Sequence, residues 1–173
     1  MQVKSSAKMV VLDKLLIRLC KQQSHKCLVY SQFTMMLDIL EEFCKLRGYR
    51  YFRLDGSTAL ARRKYEMTQF NKTDDTHHIY LISTRAGGLG LNLQAADTVI
   101  MYDSDWNPQV DRQAQDRVHR IGQTRAVQIY RLIARGSCEE RMLYFAQHKM
   151  LLGELVLRDD GTEIDETSMS EFA

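Results

Sequence analysis

The sequence predicts an α/β fold in which helices cover both faces of a mostly parallel central sheet. Short apolar segments typical of buried strands alternate along the chain with segments whose apolar residues recur at helical spacing. One proline and nine glycines in 173 residues argue against a low-complexity or turn-dense all-β chain. Hydrophobic residues make up 45% of the chain, which is enough to bury a core and argues against a disordered tail.

Five segments are predicted to be strands because they are short and apolar or alternate between apolar and polar residues. They are Cys27–Tyr30, Tyr49–Leu54, Ile79–Ile82, Thr98–Tyr102 and Val127–Ile133. Helical spacing is clear in the leucines before the first strand, which are Leu12, Leu15, Leu16 and Leu19. The next helix has Met36, Leu40 and Phe43 on one face and is predicted to end near Gly48. Further helices are predicted over residues 59–70, 108–121 and 139–152.

Three helix ends carry recognisable capping signals. Asn107 can accept hydrogen bonds from the first amides of the helix that begins at Pro108, where the missing N–H does no harm. Gly122 is placed to end that helix in a left-handed turn. Ser137 and Glu140 have the spacing of a capping box at the start of the last helix.

The charge is unevenly distributed along the chain. Residues 1–158 contain 24 basic and 16 acidic side chains, a net charge of +8, whereas residues 159–173 contain six acidic side chains and no basic one. The basic part is compatible with a polyanionic partner, although a soluble surface with an acidic tail explains the charge equally well. No apolar run reaches the roughly 18 residues of a membrane span, and no secretory leader opens the sequence.

The four cysteines form no C-x-x-C pair and match no zinc-site spacing, so we expect no metal site. They are predicted to be buried thiols in a reducing compartment, the cytosol or the nucleus. They are Cys20, Cys27, Cys44 and Cys138.

The most distinctive segment runs from Gln113 to Gln123. On a helix, Gln113, Arg117 and Arg120 stand at positions i, i+4 and i+7 and share one face. Two guanidinium groups on one face suit a phosphate, because each offers planar and permanently charged donors. Spacing alone favours a simpler arrangement, in which Arg117 pairs with Gln113 and Arg120 pairs with Asp116.

Two further segments follow predicted strands directly. Ser83–Asn92 has three glycines in four positions, so its backbone amides could approach a phosphate closely, although a tight turn with no ligand explains it equally well. Arg53–Thr58 leads into a helix. Ser57 and Thr58 could cap that helix or offer hydroxyls to a phosphate backbone, and capping is the simpler reading.

The single tryptophan lies in Asp103–Pro108, at the carboxyl end of another predicted strand. Trp106 stands in a polar loop, where a base or a sugar could reach its ring. Ordinary packing of the ring against the protein is an equally good interpretation.

In this order, the segments resemble the second RecA-like lobe of the Swi/Snf-type chromatin-remodelling ATPases of helicase superfamily two. The resemblance covers about Lys8–Leu157, and short stretches of the sequence are most similar to the imitation-switch branch of this family. Tyr30–Phe33 resembles helicase motif IV, Ser83–Leu93 motif V and Gln113–Gln123 motif VI. The remaining two segments resemble the conserved block after motif IV and the tryptophan-bearing insertion of this family; they are Arg53–Thr58 and Asp103–Pro108.

The resemblance implies that Arg117 and Arg120 are arginine fingers that reach ATP held by the other lobe. It further implies that Gln113 supports this face and that Gly88 and Gly90 let the motif V loop approach nucleotide or DNA. The residues implied to contact the tracked DNA strand are Ser31, Gln32, Ser57, Thr58, Ser83, Thr84, Arg85 and Trp106. ATP and Mg²⁺ would be held mainly by the first lobe, because this chain contains neither a Walker A lysine motif nor an acidic Walker B motif.

The expected organisation is an N-terminal extension over residues 1–7, a helicase C-terminal domain over 8–157 and an acidic, disordered tail over 158–173. The expected function is half of an ATP-driven double-stranded-DNA translocase that remodels nucleosomes in the nucleus and is inactive without its first lobe. Expected partners are DNA or nucleosomes and the first lobe of the same polypeptide, with histones and accessory subunits as further candidates and no membrane. The alternatives are a catalytically inactive DNA- or histone-binding module and a strand-separating helicase.

Overall fold

The structure, a computed structural model, describes residues 6–72, 76–87, 92–116, 118, 123 and 125–158. Within these ranges one sheet contains five strands: β1 (Cys27–Ser31), β2 (Tyr51–Leu54), β3 (Ile79–Ser83), β4 (Thr98–Met101) and β5 (Gln128–Arg131). The α-helices are α1 (Ala7–Leu16), α2 (Thr34–Arg47), α3 (Leu60–Phe70), α4 (Thr84–Gly87), α5 (Pro108–Gln115) and α6 (Cys138–Arg158). A π-helical segment, Ile17–Gln22, continues α1.

The strands lie in the order β2-β3-β1-β4-β5, and every neighbouring pair is parallel. The central strand β1 pairs with β3 and β4, so that Cys27 lies opposite both Ile79 and Thr98. Because all the strands point the same way, their last residues meet at one edge of the sheet, here called the carboxyl edge. Their first residues meet at the opposite edge, here called the amino edge. The predicted α/β fold with a parallel sheet is confirmed.

Helices α1 and α2 and the π-helical segment cover one face of the sheet. Val29, Leu81 and Ile100 project into this first core from the three central strands. They pack against apolar side chains of the covering helices, which include Leu12, Leu16, Leu19, Leu37, Leu40 and Phe43. The helical leucine spacing in the sequence therefore marks the face that is buried, as predicted.

A second core lies on the opposite face of the sheet. Because side chains alternate along a strand, the neighbouring residues Tyr30, Ile82 and Met101 project to this side. They pack with Phe70 of α3 and Ala114 of α5, among other residues. Burial of both faces explains why β1 and β3 are apolar without interruption: a parallel sheet has no solvent-facing side.

Two predicted helix ends have the expected geometry. Gly48 follows α2 in the left-handed region at φ +69°, and its amide donates to the carbonyl of Lys45 at 3.2 Å. Asn107 accepts a hydrogen bond from the amide of Gln109 at 3.2 Å and so caps α5. The sequence signals at these ends were therefore read correctly.

Other predicted bounds require correction. Helix α5 ends at Gln115, not at Ile121, and Asp116 follows it as the C-cap residue. Residues 119–122, including the proposed stop at Gly122, lie outside the described residues. Helix α6 runs from Cys138 to Arg158, so it extends past the predicted end at Leu152 and takes in the first residue of the predicted tail. Strands β2, β4 and β5 are each shorter than predicted.

The start of α6 differs in detail from the predicted capping box. The hydroxyl of Ser137 accepts from the amide of Glu139 at 3.2 Å, as an N-cap residue should. The carboxylate of Glu140, however, accepts from the amide of Gly136 at 2.9 Å and not from that of Ser137. The glutamate therefore binds one residue further back, in the turn that precedes the helix.

Three of the cysteines are buried free thiols, as predicted, but Cys138 is exposed because it begins α6 at the surface. Cys20 and Cys27 lie side by side in the first core, with their sulfur atoms 3.6 Å apart. None of the described helices is long and apolar enough to span a membrane.

Candidate nucleic-acid interface

Four of the loops that follow strands at the carboxyl edge contain the predicted DNA-contacting residues. In order along the edge, these loops begin after β2 at Asp55, after β3 at Thr84, after β1 at Gln32 and after β4 at Tyr102. Residues from distant parts of the sequence therefore meet on one line. Crevices at the carboxyl ends of parallel strands are where open α/β sheets bind ligands.

A half-buried carboxylate joins the two central loops. Asp103 accepts from the hydroxyl of Ser31 at 2.5 Å and from the backbone amide of Gln32 at 2.7 Å. The side-chain amide of Gln32 in turn donates to the carbonyl of Ser104. Burial raises the pKa of Asp103 above its ordinary value, and the hydrogen bonds from Ser31 and Gln32 only partly offset this effect.

The predicted contacts of Ser31 and Gln32 with a phosphate stay predictions. Ser31 is fully buried, and its hydroxyl donates to Asp103. Its observed bond connects two loops of the lobe. Gln32 is half-buried beside it and lies nearer the open side of the edge.

The loop between β4 and α5 holds Trp106 in solvent. The Trp106 side chain is 60% exposed, which excludes the alternative that the ring is packed in the core. Asp105 accepts from the amide of Asn107 at 2.8 Å, and its own amide donates to Asp111 at 3.2 Å. These bonds fix the backbone on both sides of the tryptophan.

Asp111 is a second carboxylate at this edge, and it is buried. It lies on α5 at 2% exposure, with an oxygen 3.4 Å from a guanidinium nitrogen of Arg131 at the end of β5. Burial raises the pKa of Asp111, against the effects of the Asp105 amide and the Arg131 charge. The tryptophan loop is thus anchored to the helix that follows it and, through Arg131, to the last strand.

Beyond β3, the carboxyl edge contains buried hydroxyls with unused hydrogen-bonding capacity. Ser83 and Thr84 are buried, and Arg85 is exposed on the short helix α4. The Thr84 hydroxyl has no hydrogen-bond partner among the described residues, and within the same set of residues the Ser104 hydroxyl also has none. Buried polar atoms are normally satisfied, so such atoms indicate a place for water or a ligand. Gly88 and Gly90 lie outside the described residues.

The loop after β2 is closed on itself. The backbone amide and the hydroxyl of Ser57 both donate to Asp55, at 2.9 and 2.6 Å, and Thr58 accepts from the Asp55 amide at 3.1 Å. The Ser57 hydroxyl is the main cause of the lowered pKa of Asp55. Neither residue caps α3, whose N-cap residue is Ala59, so the capping interpretation is wrong. Ser57 is exposed and Thr58 half-buried, and their contact with DNA stays a prediction.

The predicted nucleotide-facing segment is described only in part. Gln113 lies exposed on α5. Arg117 and Arg120 lie outside the described residues, as do their alternative pairings with Gln113 and Asp116. Val118, between them in sequence, is fully buried in the second core.

Sequence reasoning missed the residues that organise the edge. It identified the loop Asp103–Pro108 but assigned no role to Asp103, Asp111 or Arg131. The available signal was an aspartate directly after a buried strand, since such a carboxylate needs hydrogen-bond donors from neighbouring loops. It also missed two exposed apolar side chains beside Gln32: Phe33 is 62% exposed and Met35 77% exposed.

No group of three His, Cys, Asp or Glu residues is placed to bind a metal ion among the described residues. The features present are exposed guanidinium and aromatic groups, together with hydroxyls and backbone amides, along one edge. These are groups that bind phosphates, sugars and bases.

A parallel five-stranded sheet with helices on both faces defines an α/β domain, and its similarity to a solved ATPase lobe makes it RecA-like. The solved C-terminal part of the Fun30 ATPase domain has this fold, with a TM-score of 0.80 and 41% identity; the match covers 84% of this chain and 46% of that one. The family described as the helicase conserved C-terminal domain matches residues 7–122. The chain belongs to this family.

Its relatives are Swi/Snf-family chromatin-remodelling ATPases. The human SWI/SNF-related matrix-associated actin-dependent regulator of chromatin subfamily A member 1 is 51% identical over 166 residues, and the human chromatin-remodeling ATPase INO80 is 51% identical over 155 residues. The ISWI chromatin-remodeling complex ATPase ISW1 of Saccharomyces cerevisiae is 47% identical over 162 residues. These alignments cover 96%, 90% and 94% of this chain but only 16%, 10% and 14% of the relatives. Such similar identities do not separate the branches of the family.

Proposed function

We propose that the chain is the second lobe of an ATP-dependent double-stranded-DNA translocase that remodels nucleosomes in the nucleus. The observation that supports this most is the line of predicted DNA-contacting residues along the carboxyl edge. It brings Thr84, Arg85 and Trp106 together with Ser57 although they are far apart in the sequence. Contacts of this kind bind the sugar-phosphate backbone without reading bases, which suits a motor that steps along any DNA.

ATP would bind between this lobe and a first lobe that holds the phosphates and Mg²⁺. Arg117 and Arg120 would contribute guanidinium groups from this lobe, supported by Gln113. As the phosphoryl group is transferred, charge on its oxygens is stabilised by such a fixed cation. Arginine fingers contribute roughly 10³–10⁵-fold to the rate in phosphoryl-transfer enzymes. This division of labour makes the isolated lobe inactive, because the sequence contains no Walker A motif to hold the phosphates.

The finger assignment is tested in a two-lobed protein that joins this chain to its first lobe. We expect Arg117→Ala and Arg120→Ala each to lower DNA-stimulated ATP turnover by at least about a hundredfold. Arg50→Ala is the matched control, because Arg50 is exposed and bonds to Thr76 at the amino edge. Near-normal turnover in both finger variants would exclude the assignment, whereas the absence of DNA-stimulated turnover in the unsubstituted two-lobed protein would favour an inactive binding module.

The DNA-contact assignment is tested separately with Trp106→Ala. We expect the variant to lose stimulation by DNA while basal turnover is retained, because the exposed ring would support the strand. Tyr144→Ala is the control, since Tyr144 is similarly exposed, at 57%, but lies on α6. Equal losses of basal and stimulated turnover would make Trp106 structural. A strand-displacement assay on the same protein distinguishes a translocase from a strand-separating helicase.

A further inference from the structure

A hydrogen-bonded cluster at the amino edge holds the chain where it returns from α5 to β5. The side-chain amide of Gln123 donates to the carbonyls of Gln94 and Ala96, at 3.2 and 2.8 Å. The oxygen of the same amide accepts from the backbone N–H of Arg125 at 3.0 Å. One side chain therefore connects this return segment to the loop that precedes β4.

Asp97 provides a second connection within the same cluster. A guanidinium nitrogen of Arg125 lies 3.1 Å from the Asp97 carboxylate, whose side chain is only 3% exposed. His25 contacts the same carboxylate oxygen at 2.8 Å, and the hydroxyl of Thr98 donates to the other at 3.1 Å. The Asp97 carbonyl accepts from the amide of Gln128 at 2.8 Å. Asp97 is thereby bonded to residues at or beside the first residues of β1, β4 and β5.

The cluster lies just after the segment that contains the proposed fingers. Arg120 precedes Gln123 by three residues in the sequence. On the other side, Val118 is fully buried in the second core, and its amide donates to the carbonyl of Gln115 at 3.1 Å. Only four residues separate Val118 from Gln123 in the sequence, so the cluster holds the chain close to the segment that contains Arg120.

We infer that Gln123, Arg125 and Asp97 are positioning residues for the arginine that the proposed function places on the phosphates of ATP. This inference rests on that proposed function and deepens it. A catalytic group displaced by about 1 Å can lose a hundredfold in rate, so a finger on a short segment needs fixed ends. The cluster holds the end of this segment that leads into β5. Its polar groups lie at the amino edge and take no part in the hydrogen bonds of the carboxyl edge.

Gln123→Glu tests the inference because it changes little but the hydrogen bonding. The variant loses both N–H donors and places a carboxylate against the carbonyls of Gln94 and Ala96. Gln128→Glu is the matched control: Gln128 is exposed on β5, and its side-chain oxygen accepts from Tyr130, which a carboxylate can still do. Both are made in the two-lobed protein, beside Arg120→Ala.

The measurements are kcat and KM for ATP, the affinities for ADP and for ADP with a planar fluoroaluminate, and the unfolding temperature. We expect Gln123→Glu to lower kcat and the affinity for the fluoroaluminate complex by about tenfold to a hundredfold. We expect its ADP affinity to stay close to that of Gln128→Glu, although its unfolding temperature should be lower because two carbonyls lose their donor. A purely structural role would not reduce binding of the transition-state mimic selectively.

Arg125 provides a second test if Gln123→Glu folds poorly. Arg125→Gln removes the charge opposite Asp97, whereas Arg125→Lys keeps a cation that can reach the carboxylate. We expect the lysine variant to retain more fluoroaluminate affinity than the glutamine variant, with equal ADP affinity. Equal behaviour of the two variants would overturn the inference.

The remaining outcomes distinguish a failure of the positioning inference from a failure of the proposed function. If Arg120→Ala lowers turnover strongly but Gln123→Glu matches Gln128→Glu, the positioning inference is wrong and the proposed function stands. If Arg120→Ala leaves turnover and fluoroaluminate affinity unchanged, the finger assignment itself is wrong, and the positioning inference falls with it.

Discussion

The two edges of the sheet satisfy their buried polar groups in different ways. At the amino edge, Asp97 has three side-chain partners, and the amine of Lys26 donates to the carbonyls of Phe70 and Lys72 at 2.6 and 2.7 Å. At the carboxyl edge, the buried hydroxyl of Thr84 is left without a partner, as far as the described residues extend. Asp97 and Lys26 at the amino edge thus bond within the protein, although the buried Nδ1 of His78 at that edge has no partner among the described residues, while the Thr84 hydroxyl at the carboxyl edge keeps hydrogen-bonding capacity for something else.

This difference indicates that Asp97 and Lys26 at the amino edge stabilise the fold, whereas Thr84 at the carboxyl edge is available for binding. Buried groups that are fully bonded contribute to the free energy of unfolding, whereas an unsatisfied one lowers it. The same residue types should therefore respond in opposite ways to substitution at the two edges. Four measurements of unfolding test this expectation.

The largest expected effect is that of Asp97→Ala at the amino edge. Removal of the carboxylate leaves His25, Arg125 and Thr98 without their shared partner, so we expect the free energy of unfolding to fall by about 2 kcal/mol. Urea unfolding at neutral pH measures it. Asp38→Ala is the control, because this side chain is 61% exposed in its ion pair with Arg53 and should contribute less than about 0.5 kcal/mol. Equal losses in the two variants would contradict the comparison.

The second effect depends on pH and concerns Glu41 on α2. Burial acts to raise its pKa, but hydrogen bonds from Tyr51, Arg53 and Lys45 outweigh this and lower the pKa from 4.5 to about 2. The ionised carboxylate therefore stabilises the folded state above pH 4.5, and this contribution is lost as the pH falls toward 2. Solvent screens the charges at this partly exposed site. We therefore expect the fall in the free energy of unfolding on acidification to be smaller in Glu41→Gln than in the unsubstituted protein, by at most about 1 kcal/mol.

The control for that experiment is a carboxylate at the carboxyl edge whose pKa shifts the other way. The pKa of Asp103 is raised by burial, so its folded state binds a proton more readily than the unfolded chain. Ionisation of Asp103 thus lowers stability as the pH rises through its folded pKa. The free energy of unfolding of both variants is measured between about pH 2 and 7. The contribution that Glu41→Gln removes should increase with pH, whereas the contribution that Asp103→Asn removes should decrease with pH. Slopes of the same sign would be inconsistent with these environments.

The third expected effect is a difference in stability between two threonine variants. Thr84→Val deletes a buried hydroxyl that has no partner within the described ranges, so we expect stability to be unchanged or to rise by up to about 1 kcal/mol. Thr98→Val at the amino edge deletes a hydroxyl that donates to Asp97 and should lower stability by about 1 kcal/mol. Thermal unfolding of both variants measures the difference, and a loss in Thr84→Val would indicate a hidden partner.

The smallest effect on unfolding is expected for Trp106→Ala. Its ring is 60% exposed, so we expect a change within about 0.5 kcal/mol. Urea unfolding compared with Phe43→Ala, which empties a fully buried position and should cost about 3 kcal/mol, sets the scale. A large loss in Trp106→Ala would mean that the ring packs against the lobe.

The fold was predictable because burial on both faces leaves a strong local signal. Strand segments such as Ile79–Ile82 are continuously apolar, and the leucines of α1 recur at helical spacing. Helix ends were less predictable. The sequence gives no local sign that α5 stops at Gln115, and α6 continues through Gly153, a residue type at which helices often end. Long-range packing decides such ends.

The loops that form the candidate site could be predicted from the sequence, but the hydrogen bonds between them could not. Residues directly after apolar strands were correctly expected at one edge, because parallel strands place them there. Partners separated by long stretches of sequence were not accessible: Asp97 meets His25 from 72 positions away, and Ser31 meets Asp103 from an equal separation. Such pairs depend on the order of strands, which no local pattern contains.

That strand order has a consequence for how the lobe forms during synthesis. Of the five strands of this sheet, β1 is the first to be synthesised, yet both of its neighbours, β3 and β4, follow much later in the chain. Until they emerge, its apolar side chains have no sheet to join, and closing the long intervening loop delays folding. The nascent chain therefore exposes the apolar residues of β1 before their partner strands exist, and exposed apolar segments of this kind are prone to aggregate.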